Sequence, residues 1–279
     1  IFLLFNRPSV VFGMGGYSSF PVCLAASILR INFIIYENNL IIGKANKYLL
    51  PLAKKIFVSY KEVEGLNSKY DNKVVEIGNL VREEIKEFKI NTDANNDFDK
   101  LKILVLGGSQ AAKIFAEELP KIFVECNKSK IPIKVYQQCQ KTQNQELSQF
   151  YKRENIDYEI FNFIDDINFY YSKVNLVITR SGASVLGELM MAKKPFISIP
   201  LPTSADDHQY KNAEFYVKKG CGLLLEEKDI KIKLYPLIKS LFSNRSIIKN
   251  ILSKQRQYSN KDIFENLTIQ IDKVLNETN

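Results

Sequence analysis

The sequence is poor in the residues that build metal and disulfide sites. One histidine, His208, and four cysteines, Cys23, Cys126, Cys139 and Cys221, are scattered over 279 residues with no Cys-x-x-Cys pair. That spacing argues against a structural zinc site, and it fits a reducing, cytoplasmic setting. No apolar run approaches the ~20 residues that span a bilayer. The apolar opening, Ile1 to Phe5, is too short and has no charged stretch before it, so it does not read as a signal peptide. Arginine is scarce, at seven of the 39 basic residues. No basic cluster is interleaved with stacking aromatics, which speaks against nucleic acid as a partner. A complete Gly-x-Gly-x-x-Gly is absent as well, so a dinucleotide site has little support.

What is present is an ordinary globular composition. Apolar residues make up 46%, and 39 Lys+Arg against 31 Asp+Glu leave a net charge of +8. Lysine dominates that excess and suits attraction to an anionic membrane face. The length allows one large or two medium domains.

Short apolar runs alternate with helical stretches along the whole chain. Strands are expected at 9–12, 32–36, 56–59, 73–77, 101–106, 133–136, 158–161, 176–178 and 196–199. Helices are expected at 18–29, 43–50, 111–126, 144–153 and 184–192, with another ending at Lys219 where Gly220 closes it. Phe163-Ile164-Asp165-Asp166 reads as a loop with an aspartate cap opening a short helix. Residues 229–279 read as two or three amphipathic helices. The Asn/Asp-rich stretch 88–100 breaks the alternation and reads as a linker between an N-terminal domain, 1–87, and a C-terminal domain, 101–279. Alternation on both sides of a break implies two doubly wound parallel-sheet domains with glycine turns at a cleft. Asp97-Phe98-Asp99 matches the Asp-x-Asp pattern of metal-dependent sugar transferases, but it lies in a polar loop rather than at a strand end. No metal and no cofactor are expected.

The most informative stretch runs from Asn175 to Gln209. An apolar strand ends at the small residues Ser181, Gly182 and Ala183, and a helix begins at once. A strand end, a small-residue turn and a helix N-terminus make a ready anion site. Glu188 sits one turn into that helix, where it would repel the anion unless it accepts hydrogen bonds from a ribose diol. Gly107-Gly108-Ser109-Gln110 repeats the strand–glycine–helix arrangement with a hydroxyl at its centre. Gly13-Met14-Gly15-Gly16-Tyr17 forms a third such turn, and Glu37-Asn38-Asn39 lies at the carboxyl end of a strand, where open α/β sheets bind ligands. Arg82, just past the Gly78-Asn79 turn, can aim a guanidinium into a cleft.

Taken together and in order, GMGGYSSFP (13–21), YENN (36–39), GNLVR (78–82), LGGSQAA (106–112), FIDDI (163–167), TRSGASVLGE (179–188) and DDHQYKNA (206–213) resemble the MurG family. These are GT-B glycosyltransferases that move N-acetylglucosamine from its UDP donor to an undecaprenyl-pyrophosphoryl muramyl peptide, lipid I, giving lipid II of peptidoglycan. The resemblance covers nearly the whole chain from Ser9 onward. It implies that Ile164 offers backbone groups to uracil and that Glu188 binds the ribose. It places Ser109 and Arg82 on the pyrophosphate, with Ser181 and Gly182 nearby. Ala183 and Gln209 would read sugar hydroxyls, with Asn39 near the donor sugar. Gly13, Gly15, Gly16 and Tyr17 would line the acceptor side. The implied partners are UDP-N-acetylglucosamine, the polyprenyl-linked acceptor and an anionic membrane, met peripherally at its cytoplasmic face.

Four departures from the family pattern stand out: Tyr36 replaces a usual His, Ala111 a usual Gly, Leu80 a usual Pro, and Gln137-Gln138-Cys139-Gln140 a His-Gln-(Ser/Thr)-Gly element. The family's opening strand and Gly-Gly-Thr-Gly-Gly-His loop, with its usual general base, do not occur in residues 1–279. Glu37 and Asn39 then become the candidates for the catalytic groups. The expectation is an N-terminal domain that lacks its first strand, and a chain that binds the donor but transfers it slowly or not at all. A different lipid glycosyltransferase of the same fold and a UDP-sugar-binding remnant without catalysis are the rival readings.

Overall fold

A computed structural model describes residues 2–86, 99–257 and 263–276, the side chains of residues 86 and 109–112 excepted. The chain forms two compact units, Ile1–Leu80 with Asn260–Asn279, and Val81–Ser259.

The first unit holds a parallel sheet in the order β1 (Val11–Gly13), β2 (Phe33–Glu37), β3 (Lys55–Val58), β4 (Val74–Glu76). A short helix, α1 (Phe2–Asn6), precedes it, and α2 (Gly16–Ile28) and α3 (Lys44–Leu49) make the crossovers. β2 is buried along its whole length because both faces of the sheet are covered. Phe33 and Ile35 join a cluster with Cys23, Ala26 and Leu49, whereas Ile34 and Tyr36 point to the other face and pack with Phe57 and Ile77.

The second unit holds six strands, all parallel: β5 (Leu101–Leu106), β6 (Ile133–Gln138), β7 (Asp157–Phe161), β8 (Leu176–Thr179), β9 (Phe196–Ser198) and β10 (Leu223–Leu224). Their order is β10-β9-β8-β5-β6-β7. Its helices are α4 (Glu83–Lys86), α5 (Gly108–Lys128), α6 (Asn144–Arg153), α7 (Ile167–Lys173), α8 (Ala183–Met191), α9 (His208–Lys218), α10 (Ile230–Ser243) and α11 (Ser246–Gln257). One core joins β5, β6, β8 and β9 to α5, α6, α10 and α11 through buried residues such as Ile103, Phe115, Phe123, Tyr151, Ile178, Ile197 and Leu234. Each such side chain contributes roughly 1.5–3 kcal/mol on burial. Of the two adjacent aspartates it is Asp166 that caps α7, accepting from the backbone N–H groups of Asn168 and Phe169.

The expected elements are present to within a few residues, and three features differ. β10 is missed because two residues are too few to carry a pattern. The expected linker falls largely in residues 87–98, outside the described residues, and so do Asp97 and Phe98 of the Asp-x-Asp pattern. The last helix, α12 (Ile263–Asn276), belongs to the first unit rather than to the C-terminal domain expected over 101–279. Val274 is buried against Ile34, Tyr36, Phe57 and Ile77, with Leu267 and Ile271 beside it. An amphipathic helix must bury its apolar face, but its sequence does not say against which sheet. Among the described residues no helix is long and apolar enough to cross a membrane.

Candidate functional site

The strand order of the second sheet places its site. From β5 the chain runs outward through β6 and β7, then returns to the other side of β5 and runs outward through β8, β9 and β10. The reversal leaves a crevice beyond the carboxyl ends of β5 and β8, where open α/β sheets bind ligands. A cavity of about 520 Å³ lies there. Leu106, Gly107 and Gly108 line it from β5, Thr179, Arg180 and Gly182 from β8, and Phe163 and Ile164 from the loop after β7. Gly108 has φ +65°, and a Cβ added there would meet nothing within 4 Å, so the backbone at the start of α5 is open to close approach. Gly182, Ser184 and Val185 bring the N-terminus of α8 to the same cavity, with the positive end of its dipole.

Arg82 and Glu188 face each other on one wall. The Arg82 Nε donates to Glu188 Oε1 at 3.0 Å and Nη2 donates to Oε2 at 2.9 Å, a bidentate pair. Tyr171 Oη donates to Glu188 Oε2 at 3.5 Å. Hydrogen bonding to Glu188 raises the Arg82 pKa above its ordinary value. Burial, then the Glu188 charge, push the Tyr171 phenol well up, so it stays a donor.

Gln209 and Arg180 hold the turn at the end of β8. Gln209 Oε1 accepts from the backbone N–H of Ser181 at 3.1 Å and of Leu201 at 3.0 Å. With its oxygen so used, the hydrogen-bond network assigns the Gln209 amide nitrogen as the end left for a ligand. Asn212 Nδ2 donates to the Ser181 carbonyl at 3.2 Å. Arg180 Nη1 donates to the carbonyls of Ile199 and Pro200, its Nη2 pairs with Glu227, and its guanidinium lies over the Phe115 ring.

The first unit builds a different arrangement at the carboxyl ends of β1 and β2. Gly15 and Gly16 have φ +79° and +77° and turn the chain into α2, with Tyr17 exposed at the turn. Glu37 is 3% exposed and its carboxylate accepts four hydrogen bonds. Oε1 takes the backbone N–H and Nδ2 of Asn39, both at 3.0 Å, and Oε2 takes the backbone N–H of Gly43 at 2.8 Å and Asn46 Nδ2 at 2.9 Å. Tyr36 ties β2 to the turn before Val81: its Oη lies 2.6 Å from Ser59 Oγ and accepts from the backbone N–H of Leu80 at 2.9 Å. Burial raises its pKa to about 12.

Of the residues singled out by sequence, Arg82, Ile164, Gly182, Glu188 and Gln209 line one cavity. Ala183 is buried just behind Gly182. Ser181 is fully buried and turns its hydroxyl to Ser198 Oγ at 2.6 Å, so only its backbone serves the turn. Ser109 lies in the first turn of α5, and its side chain is outside what is described. Gly13, Gly15, Gly16 and Tyr17 lie together in the first unit, as do Glu37 and Asn39. Sequence reasoning missed Tyr171, Arg180 and Asn46. Arg180 stood inside a quoted motif, and its neighbours were read instead. Tyr171 and Asn46 carry no local signal, since their partners lie 17 and nine residues away.

Known proteins share this organisation. Residues 2–58 match the glycosyltransferase family 28 N-terminal domain, and residues 102–267 match the glycosyltransferase family 28 C-terminal domain. A Pelagibacter ubique protein is 36% identical over 289 residues, spanning 99% of this chain and 79% of its own length. One from Rickettsia canadensis is 37% identical over 264 residues, 91% of this chain and 74% of its own. Both are named UDP-N-acetylglucosamine–N-acetylmuramyl-(pentapeptide) pyrophosphoryl-undecaprenol N-acetylglucosamine transferase. Among solved structures, Acinetobacter baumannii MurG aligns with a TM-score of 0.79 at 26% identity, over 98% of this chain and 75% of that one. An S. aureus MnaA–UDP co-structure aligns with a TM-score of 0.71 at 18% identity, over 99% and 78%, which speaks to fold alone.

Proposed function

The chain belongs to the MurG family within glycosyltransferase family 28, and we infer that it moves N-acetylglucosamine from UDP-N-acetylglucosamine to the 4-hydroxyl of lipid I, giving lipid II for peptidoglycan. The fold is GT-B, with two parallel-sheet α/β domains. One observation carries the residue-level reading. Glu188, Arg82, Ile164, Gln209 and the N-terminus of α8 line a single cavity at the switch point of the second sheet.

In that cavity the Ile164 backbone pairs with the uracil edge and Glu188 accepts from the ribose hydroxyls. Arg82, Ser109 and the N-termini of α5 and α8 hold the pyrophosphate. The Ala183 backbone and the Gln209 amide read the sugar hydroxyls. The acceptor 4-oxygen loses its proton to a base and attacks the anomeric carbon from the face opposite UDP, which inverts that centre. The bond to the β-phosphate oxygen breaks with its electron pair leaving on UDP. Arg82 and the two helix dipoles stabilise the charge that grows there. In the first unit, Gly13, Gly15, Gly16 and Tyr17 face the acceptor pyrophosphate. Glu37 and Asn39, the catalytic candidates from sequence, are better suited to fixing the loop, because the Glu37 oxygens already accept four donors. With an acceptor on undecaprenol and a net charge of +8, the protein works as a peripheral enzyme on an anionic membrane, at its cytoplasmic face.

The test is a pair of measurements on the purified protein. Calorimetric titration is expected to show UDP binding well above ADP and GDP, because fixed backbone groups are left unpaired by the wrong base. A transfer assay with a lipid I analogue is expected to favour UDP-N-acetylglucosamine over UDP-glucose and UDP-galactose. Equal affinity for ADP sinks the nucleotide assignment, and faster transfer from another UDP-sugar sinks the sugar assignment.

A further inference from the structure

The Arg82–Glu188 pair occupies the very oxygens that a ribose diol needs. A carboxylate offers about four lone-pair positions. Arg82 takes two of them at 3.0 and 2.9 Å, and the Tyr171 hydroxyl approaches a third at 3.5 Å. Two ribose hydroxyls therefore cannot both donate to Glu188 while the guanidinium stays in place. The two partners are also unequal. The Glu188 side chain is 10% exposed and is fixed on α8, whereas the Arg82 side chain is 46% exposed on the short segment before α4. The arginine is the member that can move, and Tyr171, buried and kept protonated, stays with Glu188 when it does.

We propose that Arg82 competes with the ribose for Glu188 and so makes the donor site select nucleotides that carry a pyrophosphate over the bare nucleoside. The proposal rests on the donor-site reading above. A ligand that brings a ribose alone displaces a bidentate, charge-assisted contact and gives the guanidinium only water in return. A ligand that also brings a pyrophosphate gives the guanidinium a new anion, so the exchange is repaid within the same complex. Discrimination of this kind needs no contact that rejects uridine. It comes from a residue that is a partner of one half of the ligand and a rival of the other.

The experiment titrates uridine, UMP and UDP against the wild-type protein, Arg82→Gln and Arg82→Lys. In Arg82→Gln, uridine affinity is expected to rise about fivefold, the upper range for a partly exposed ion pair. UDP affinity is expected to fall by about tenfold or more, as one charge-assisted contact is lost. Arg82→Lys, which keeps the charge but not the fork, is expected to lie between the two for both ligands. A gain in affinity cannot come from misfolding, so the uridine result stands without a stability control. Uridine affinity that stays level or falls in Arg82→Gln overturns the proposal and leaves Arg82 as a phosphate ligand only. Failure of the wild-type protein to bind UDP is a different result; it overturns the donor-site reading, and the proposal with it.

Discussion

Both units place a carboxylate beside a glycine turn on a parallel sheet, and the two carboxylates do opposite things. Glu37, in the first unit, accepts four hydrogen bonds from amide groups of its own loop and of α3, all of them neutral donors. Glu188, in the second, is held mainly by one guanidinium that is nearly half exposed. A carboxylate satisfied by neighbouring backbone and amides is part of the architecture, since removing it strands several buried donors. A carboxylate satisfied by a mobile ion can exchange that ion for a ligand. Glu37 at the end of β2 is tied into its own loop and Glu188 on α8 is held by an ion, and the identity of the donors makes the difference.

The largest expected effect follows from the first carboxylate. Glu37→Ala leaves four donors without their acceptor and is expected to destabilise the first unit by about 3 kcal/mol, read from denaturant unfolding, while UDP affinity stays at the wild-type value. Glu37→Gln offers one oxygen where two served and is expected to cost about half as much. Wild-type stability in both variants, or a loss of UDP affinity, erases the contrast between the units.

Glu188→Ala is expected to do the reverse. UDP affinity should fall by roughly 1.5–3 kcal/mol, about 10- to 150-fold, with little change in unfolding. Unchanged UDP binding by calorimetry would return Glu188 to the status of a structural ion pair.

Gln209→Glu sharpens the comparison within the second unit. The carboxylate still accepts from Ser181 and Leu201, so the turn is expected to stand, but the amide donors are gone. Transfer from UDP-N-acetylglucosamine is expected to fall about tenfold, roughly 1.4 kcal/mol, with UDP affinity nearly unchanged. An equal loss for UDP alone would place Gln209 with the turn rather than with the sugar.

The smallest effect is a pH dependence. Lys194 is fully buried behind β8, and burial lowers its pKa to about 8. The unfolded chain holds that proton to about 10.4, so between those values the unfolded state binds more protons and stability rises with pH. The second unit is expected to gain about 1 kcal/mol between pH 9 and 10, and Lys194→Met to remove the slope. Tyr36 acts with the opposite sign in the first unit, because its pKa is raised to about 12. Stability that depends on it is expected to be lost as pH climbs from 10 toward 12. A flat unfolding profile between pH 8 and 10 in the wild-type protein would refute the lysine's part.

Much of this was readable before any coordinates. The run Leu101–Leu106, the helix Asn144–Arg153 and an aspartate cap in the loop after Phe163 lie where the pattern puts them. Arg82, Ile164, Gly182, Glu188 and Gln209 were each singled out from their motifs. What was not readable involved partners distant in sequence. Nothing near Arg82 announces that it pairs with a residue 106 positions away. Nothing near Glu37 announces the amide of Asn46. Ser181 was placed near the pyrophosphate, and nothing local announces that its hydroxyl turns inward to Ser198, which follows from β9 lying directly beside β8.

By itself the sequence determined the alternation of strand and helix, the three glycine turns and the family, because these depend on local periodicity, backbone freedom and ordered motifs. Only the tertiary structure decided which core α12 completes, which carboxylate is saturated and which is exchangeable. Those outcomes depend on what lies within about 3–4 Å of a side chain, and residues that close are often far apart along the chain.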